Sequence, residues 1–228
     1  MSSSSTLTEQ RVKASEMSDG RSHDVIYQRC LQLIKQHDFS GEALDFGAGR
    51  GAFSEVLWQS QKFQKVTGAD LLPRPSQLPE SIQWLHLDLN NETGLPSEAF
   101  DVVVALEVIE HLENPRLVAR QWFEMLRPGG HLIMSTPNNE SLRSLLALFL
   151  RGHFVSFSDR DYPAHITALL GQDLQRVLKE AGFKNIQTYY SESGVLPKFT
   201  NITWQTASFG LLGGQRFSDN VFVVAEKA

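Results

Sequence analysis

The sequence predicts an α/β fold in which a largely parallel, doubly wound sheet carries helices on both faces. Stretches with strand character alternate with stretches of helical apolar spacing from about residue 21 to residue 136. A glycine-rich turn at 47–51 joins the first strand to the next helix. Acidic residues stand where several strands end, and ligands of doubly wound sheets bind at those carboxyl ends.

The individual elements follow from local patterns. Apolar spacing predicts a leading helix over 21–37, and the prolines within 72–79 predict a loop. The nearly continuous β-branched run at 100–106 predicts a central strand buried on both faces. The other expected strands are 43–46, 65–71, 82–89 and 131–136, and the other expected helices are 52–61 and 115–126, the latter ended by a turn at 127–130.

The rest of the chain predicts a single domain over 21–228 with two insertions. A helix at 172–182 and strands at 185–190 and 221–225 extend the repeat, and the two strands can pair as an edge hairpin. Segments at about 139–168 and 191–220 do not fit the repeat, so we expect a helical lid and a second wall or dimer contact. Residues 1–20 have almost nothing to bury and predict a disordered tail.

The helix predicted at 141–151 is apolar around most of its circumference, so we expect it to bury two faces. Two interpretations stay open. The helix is either a cap packed on the core or a lid that lines an acceptor pocket or rests on a lipid-like substrate. Phe154, Phe157 and Tyr162 are expected to extend the apolar lining.

Composition excludes several function classes. The formal net charge of −5 argues against a nucleic-acid-binding surface. The single cysteine, Cys30, allows no intrachain disulfide and is typical of a reducing compartment, so we expect a cytoplasmic protein. Residues 1–20 lack the apolar core of a signal peptide, and the longest apolar run, 145–150, is too short to span a bilayer.

The glycine-rich turn predicts a nucleotide-like ligand. The spacing of Gly47, Gly49 and Ala52 fits the dinucleotide pattern, in which backbone N–H groups and a helix N-terminus approach the ligand. Asp45 would repel a pyrophosphate, whereas it would attract an ammonium group. Asp70 lies roughly twenty residues further on, where a carboxylate can accept from ribose hydroxyls in either case. A dinucleotide, a cationic ligand and a purely structural turn therefore stay open.

Further motifs extend the pattern along most of the chain, at 44–51, 68–70, 87–89, 100–103, 107–112 and 126–130. Together they resemble the successive motifs of the class I S-adenosylmethionine-dependent methyltransferases. Glu-His-Leu at 110–112 and Ser-Thr-Pro-Asn at 135–138 are similar to the small-molecule branch that includes the ubiquinone-pathway O-methyltransferases. The resemblance implies a Rossmann-like, seven-stranded sheet whose last strand is antiparallel.

The resemblance also implies a ligand and its binding residues. The ligand is S-adenosylmethionine, with S-adenosylhomocysteine as the product, and Asp88 is expected to contact the adenine amino group. The implied cofactor-binding residues are Asp45, Gly47, Ala48, Gly49, Gly51, Asp70, Leu71, Asp88, Leu89 and Glu107.

Methyl transfer from a sulfonium requires mainly a positioned acceptor and the exclusion of water. An oxygen acceptor also benefits from a base, and histidine, with an unperturbed pKa near 6.5, serves at neutral pH. His111, after the fourth strand, and His165, in the lid, are the catalytic candidates. The seven histidines show no metal-ligand spacing, so no metal is expected, although a catechol-type Mg²⁺ site stays open.

We therefore expect a methyltransferase that acts on a small-molecule acceptor, at a hydroxyl of a sugar, quinone-like or lipid-linked intermediate. Nucleic-acid acceptors are not expected, since 106–109 lacks the Asn/Asp-Pro-Pro-aromatic turn and Cys30 is misplaced for a nucleophile. Two rivals stay open. One is an NAD-dependent oxidoreductase, although Tyr189 and Tyr190 lack the lysine of a Tyr-x-x-x-Lys pair. The other is a binding module that catalyses nothing.

Overall fold

The computed structural model describes residues 11–12, 22–92, 94–199 and 202–228. These residues contain a seven-stranded sheet. Its strands are β1 (Gly41–Phe46), β2 (Phe63–Asp70), β3 (Gln83–His86), β4 (Phe100–Leu106), β5 (Leu126–Pro137), β6 (Lys184–Tyr190) and β7 (Asn220–Glu226). Their order is β3-β2-β1-β4-β5-β7-β6, with β7 antiparallel to both neighbours and the remaining pairs parallel. The predicted sheet and its antiparallel last strand are confirmed.

Helices cover both faces of the sheet, as predicted. The described residues include the helices α1 (Asp24–Gln36), α2 (Ala52–Gln59), α3 (Pro115–Met125), α4 (Leu142–Arg151), α5 (Gly171–Ala181) and the short α6 (Trp204–Ala207). On one face, α3 and α5 pack over a core cluster that includes Trp122; on the other, α1 and α2 pack over a cluster that includes Leu57. Strand β4 supplies both clusters, because Val103 and Val104 point to opposite faces.

Strand β5 begins earlier than predicted. The sequence indicates a turn at 127–130, whereas β5 starts at Leu126, directly after α3. Phe100 pairs with Leu126 and Val102 pairs with His131, so the register shifts across this stretch. The shift accommodates the extra residues, with Gly129 at φ +79°. The predicted glycine turn is therefore an irregular opening of β5.

Strand β3 ends at His86, three residues before its predicted end at 89. The Leu87 N–H donates to the Asp70 carbonyl at 2.9 Å, and the Asn90 N–H donates to the Asp88 carboxylate at 3.0 Å. The first bond continues the ladder between β2 and β3, and the second closes a turn after the strand. As a result, Asp88 stands in a turn beside the carboxyl end of β2.

The first insertion contains α4, which is covered on one side. Ser144 and Ala147 are its buried residues. Phe149 is 86% exposed and Leu150 is 73% exposed, and three further leucines are more than one third exposed. Of the two faces expected to be buried, the described part of the chain covers one.

The second insertion packs beside the first. Arg216, in a 3-10 turn at Gln215–Phe217, donates from Nη1 to the Glu140 carbonyl at 2.7 Å. The predicted tail at 1–20 lies outside the described residues, apart from Arg11 and Val12, which are helical. Among the helices described, none combines the length and the apolar character needed to cross a bilayer.

Candidate active site

A cavity of about 830 Å³ lies at the carboxyl ends of β1, β2 and β4. This volume is in the range of ligand-binding clefts. Every residue that the sequence predicts as catalytic or cofactor-binding lines the cavity except Gly51. Gly51 is instead the N-cap of α2 with φ +76°, where an added Cβ would lie 2.8 Å from the Leu78 side chain. The backbone conformation and the close packing at this position therefore account for a glycine there without a ligand.

Three backbone N–H groups of the glycine-rich turn are already hydrogen-bonded within the protein. The N–H groups of Gly47 and Ala48 donate to the Ala69 carbonyl at 2.8 and 3.1 Å. The Gly49 N–H donates to Asp70 Oδ2 at 2.7 Å. The expectation that these N–H groups face a ligand is therefore corrected, and they form no cradle for a pyrophosphate.

Two buried carboxyl groups border the cavity beside this turn. Asp45 accepts from the Ser54 hydroxyl at 2.6 Å, and burial together with Asp70 raises the pKa of Asp45 to about 7. Asp70 accepts from the Gly49 and Leu72 N–H groups at 2.7 and 2.8 Å, while burial raises its pKa. A ligand that brings an ammonium group to Asp45 offsets the cost of the buried charge. Asp70 retains acceptor sites for hydroxyl groups.

The predicted base-binding end of the cavity combines an acid with apolar walls. Asp88 stands in the turn after β3, and it lines the cavity together with Leu71 and Leu89. Arg11, which sequence patterns did not single out, donates from Nη1 to Asp88 Oδ2 at 2.6 Å.

His111 and His165 meet in the cavity with their ring centroids 4.7 Å apart. His111 Nδ1 lies 2.8 Å from the Ala164 carbonyl, and His165 Nδ1 lies 2.6 Å from the Ser156 carbonyl. Because a carbonyl only accepts, each Nδ1 carries the proton and each neutral ring leaves a lone pair on Nε2. Burial lowers the pKa of both imidazoles, which favours the neutral rings.

Backbone hydrogen bonds hold the first insertion against the turn after β4. The N–H groups of Ile166 and Thr167 both donate to the Glu110 carbonyl at 2.9 Å. The Thr167 hydroxyl donates to the Leu112 carbonyl at 2.6 Å. His165 is thus fixed beside His111 although the two residues are distant in sequence.

Two glutamates, Glu110 buried and Glu107 partly buried, complete this side of the cavity. Glu107 accepts from the Ser135 hydroxyl at 2.7 Å and from the Asn220 amide at 2.8 Å. Glu110 accepts from the Thr136 hydroxyl at 3.0 Å, and its Oε1 has no hydrogen-bond partner among the described residues. Burial raises the pKa of both carboxyl groups, to about 8 for Glu110. Glu110 was not predicted as a site residue, although it directly precedes His111.

Glu110, His111 and His165 form a group that is suited to a metal ion. One potential ligand atom from each lies within 4.8 Å of the other two. Two imidazole nitrogens and one carboxylate are a ligand set that zinc and other transition metals take. The spacing along the sequence gave no sign of this group, because His165 lies in the first insertion, far from His111 in the sequence.

The insertions contribute less apolar lining than predicted. Tyr162 lines the cavity, whereas Phe154 and Phe157 stack edge-on against each other outside it, with centroids 6.4 Å apart. Helix α4 contributes Arg143, which pairs with Asp219 at 3.3 Å. The insertions therefore contribute both polar and apolar side chains to the lining.

Comparison with known proteins identifies the family. A family model described as a methyltransferase domain matches residues 21–188. The ubiquinone biosynthesis O-methyltransferase of Psychrobacter arcticus is 28% identical over 155 residues, which cover 62% of this chain and 58% of that protein. The protein of the same name from Pseudomonas fluorescens is 32% identical over 136 residues, covering 55% and 57%. The chain thus spans less than two thirds of the length of these two relatives.

A solved structure shows the same fold. The SAM-dependent methyltransferase from Archaeoglobus fulgidus superposes with a TM-score of 0.63 at 19% identity, covering 90% of this chain and 95% of that one. The strand order, the acids at the strand ends and the matched domain agree. The chain therefore belongs to the class I S-adenosylmethionine-dependent methyltransferases.

Proposed function

We propose that the chain transfers the methyl group of S-adenosylmethionine to a hydroxyl group of a small molecule, and that His111 or His165 accepts the hydroxyl proton. The observation that carries this proposal is the pair of imidazoles whose Nδ1 atoms face backbone carbonyls. Their Nε2 lone pairs are left for a donor in the cavity. A hydroxyl group is such a donor.

The residues at the opposite end of the cavity suit the methyl donor. Asp45 offers a negative charge to the ammonium group, Asp70 offers acceptor sites to the ribose, and Asp88 offers one to the adenine amino group. The backbone turn at Gly47 and Gly49 brings the chain close without a phosphate-binding cradle. This set supports S-adenosylmethionine over NAD.

The bound donor supplies an electrophilic methyl group on a sulfonium whose leaving thioether is neutral. The protein must hold the acceptor oxygen in line and remove its proton as the carbon–oxygen bond forms. The hydroxyl O–H bond breaks and the proton moves to an imidazole Nε2. Because burial lowers the pKa of both imidazoles, they are neutral and able to accept a proton at pH 7.

The acceptor we favour has a polar reacting end and an apolar part, as in a sugar, quinone-like or lipid-linked intermediate. Among the residues that line the cavity, Glu110 is fully buried, whereas Tyr162 and Ile166 are exposed to solvent. The ubiquinone biosynthesis name of the two relatives agrees with a quinone-like acceptor. A cytoplasmic location, a homodimer and the absence of nucleic-acid binding stay predictions.

The test is a methyl-transfer assay with labelled S-adenosylmethionine and a panel of sugars, catechols and hydroquinones, each with and without an alkyl tail. We expect His111→Gln and His165→Gln to lower kcat by about 100-fold for the residue that serves as base. His153→Gln is the matched control, because its ring bonds the Phe154 carbonyl outside the cavity. Treatment with a chelator decides whether a metal at Glu110 and the two histidines takes part.

S-adenosylhomocysteine binding without turnover on any acceptor would favour a non-catalytic binding module. Full activity in both histidine variants would contradict the proposed base. Binding of NAD in place of S-adenosylhomocysteine would contradict the assignment of the cofactor residues.

A further inference from the structure

Arg11 lies at one end of the cavity between two carboxylates from distant parts of the chain. Its Nη1 donates to Asp88 Oδ2 at 2.6 Å, and its Nε and Nη2 donate to Glu113 Oε1 at 3.0 and 2.9 Å. The Arg11 side chain is 14% exposed and lines the cavity. Charge-assisted contacts in a partly buried place are stronger and more directional than surface ion pairs.

The Asp88 carboxylate retains room for one more donor. Its Oδ1 accepts from the Asn90 N–H at 3.0 Å, and its Oδ2 accepts from Arg11 and, at 3.0 Å, from the Asn91 amide. An ionised carboxylate has about four acceptor positions. Donors among the described residues fill three of these positions, which leaves one for a donor in the cavity.

We propose that Arg11 is a positioning residue for base recognition: it fixes the Asp88 carboxylate so that its remaining acceptor position faces the exocyclic amino group of the adenine ring. This inference rests on the proposed placement of the cofactor. It adds a residue that belongs to none of the family motifs in this chain.

The chemistry of arginine explains why this contact can orient a carboxylate. One planar guanidinium donates to Asp88 and Glu113 at the same time, which a single ammonium group does less well. Without the guanidinium, the two carboxylates lose their shared cation and Asp88 can rotate. The Asn90 side chain still accepts from the Glu113 N–H at 2.8 Å, so the two loops stay connected and we expect an Arg11 variant to fold.

The experiment compares two ligands on four proteins. Wild type, Arg11→Ala, Arg11→Lys and Arg116→Ala are titrated calorimetrically with S-adenosylhomocysteine and with its 6-deamino purine analogue, which lacks the amino group. Arg116 is a matched control because it forms one exposed ion pair, with Glu180, and does not line the cavity.

We expect wild type to prefer S-adenosylhomocysteine over the deamino analogue. Arg11→Ala should bind S-adenosylhomocysteine about tenfold more weakly and the analogue almost as before, so that the preference shrinks. The preference of Arg11→Lys for S-adenosylhomocysteine should lie between those of wild type and Arg11→Ala. The preference of Arg116→Ala should match that of wild type. A merely structural role of Arg11 would weaken both ligands by the same factor.

Three results would overturn the inference. They are equal weakening of both ligands in Arg11→Ala, unchanged binding, and tighter binding of S-adenosylhomocysteine, which would mean that Arg11 competes with adenine for Asp88. A wild-type protein that binds neither ligand would overturn the cofactor placement as a whole, and this inference with it.

Discussion

Replacing Asp45 with asparagine should make the unliganded protein more stable and should weaken cofactor binding. The carboxyl group is fully buried, and its pKa is raised from 3.8 to about 7, mainly by burial. A raised carboxyl pKa means that ionisation costs more free energy in the folded state than in the unfolded state. Ionisation of Asp45 therefore lowers the stability of the folded protein. Asparagine removes that cost while its amide oxygen can still accept from the Ser54 hydroxyl.

The size of the effect follows from the difference between the two pKa values. Each unit corresponds to about 1.4 kcal/mol, so a pKa of about 7 in place of 3.8 gives an upper limit of about 4 kcal/mol above pH 7. The unfolding free energy of wild type should therefore fall relative to that of Asp45→Asn as pH rises from about 4 through 7. At pH 5 the advantage of the variant should be about 1.5 kcal/mol.

The assay is chemical unfolding of wild type and Asp45→Asn at pH 5 and pH 8, without ligand, together with titration of S-adenosylhomocysteine at pH 8. We expect the stability difference to widen at the higher pH. We expect the variant to bind about 10- to 100-fold more weakly, because it loses a charge-assisted contact to the ammonium group. Asp159→Asn, at an exposed carboxylate, should change neither quantity.

The reasoning is refuted if Asp45→Asn is less stable than wild type at pH 8, or if the difference does not depend on pH. Unchanged affinity for S-adenosylhomocysteine would show instead that Asp45 does not face the ammonium group.

Three further predictions concern the same cavity and the exposed face of α4. Gly47→Ala should lower the unfolding free energy by at least about 1 kcal/mol and abolish measurable S-adenosylhomocysteine binding, as chemical unfolding and ligand titration would show. The reason is that φ is +83° at this position and the new Cβ would overlap Val108. Phe149→Ser should change the unfolding free energy by less than about 0.5 kcal/mol, because the ring is 86% exposed. The same variant should raise KM for acceptors with an alkyl tail and leave KM for acceptors without a tail unchanged. Cofactor binding at pH 7 should release protons from Asp45, because the arriving ammonium group lowers a pKa of about 7; calorimetry in buffers of different ionisation enthalpy would show no such dependence if the idea were wrong.

The fold was accessible from the sequence because its signals are local. Strand β4 matches its predicted bounds, since a continuous apolar run between polar residues has few alternatives. The grouping of Asp45, Asp70 and Asp88 was also accessible, because parallel strands place their carboxyl ends at one edge.

The other half of the site depends on contacts that no local pattern records. The Nε2 lone pair of His111 depends on the Ala164 carbonyl, 53 residues away. Glu110 is turned inward by the short 3-10 turn Ile109–His111, which the sequence does not distinguish from the start of a helix. Arg11 reaches Asp88 across 77 residues, from a segment whose composition indicates a tail.

Helix α4 shows a different limit. Its periodicity identified the helix and both of its ends to within a residue. Periodicity reports which side chains are apolar, and it does not report what covers them. Phe149 and Leu150 therefore stand exposed where burial was expected.

The bond between Asn220 and Glu107 has a consequence for biosynthesis. The Asn220 amide lies at the start of β7, 113 residues beyond the glutamate that accepts from it. A nascent chain that has emerged as far as β5 already contains Asp45, Asp70 and Asp88, and it lacks His165 and Asn220, which complete the proposed acceptor side of the cavity. We therefore expect ribosome-bound chains to acquire the donor-binding half of the cavity first, and methyl transfer to wait until the last strand inserts between β5 and β6.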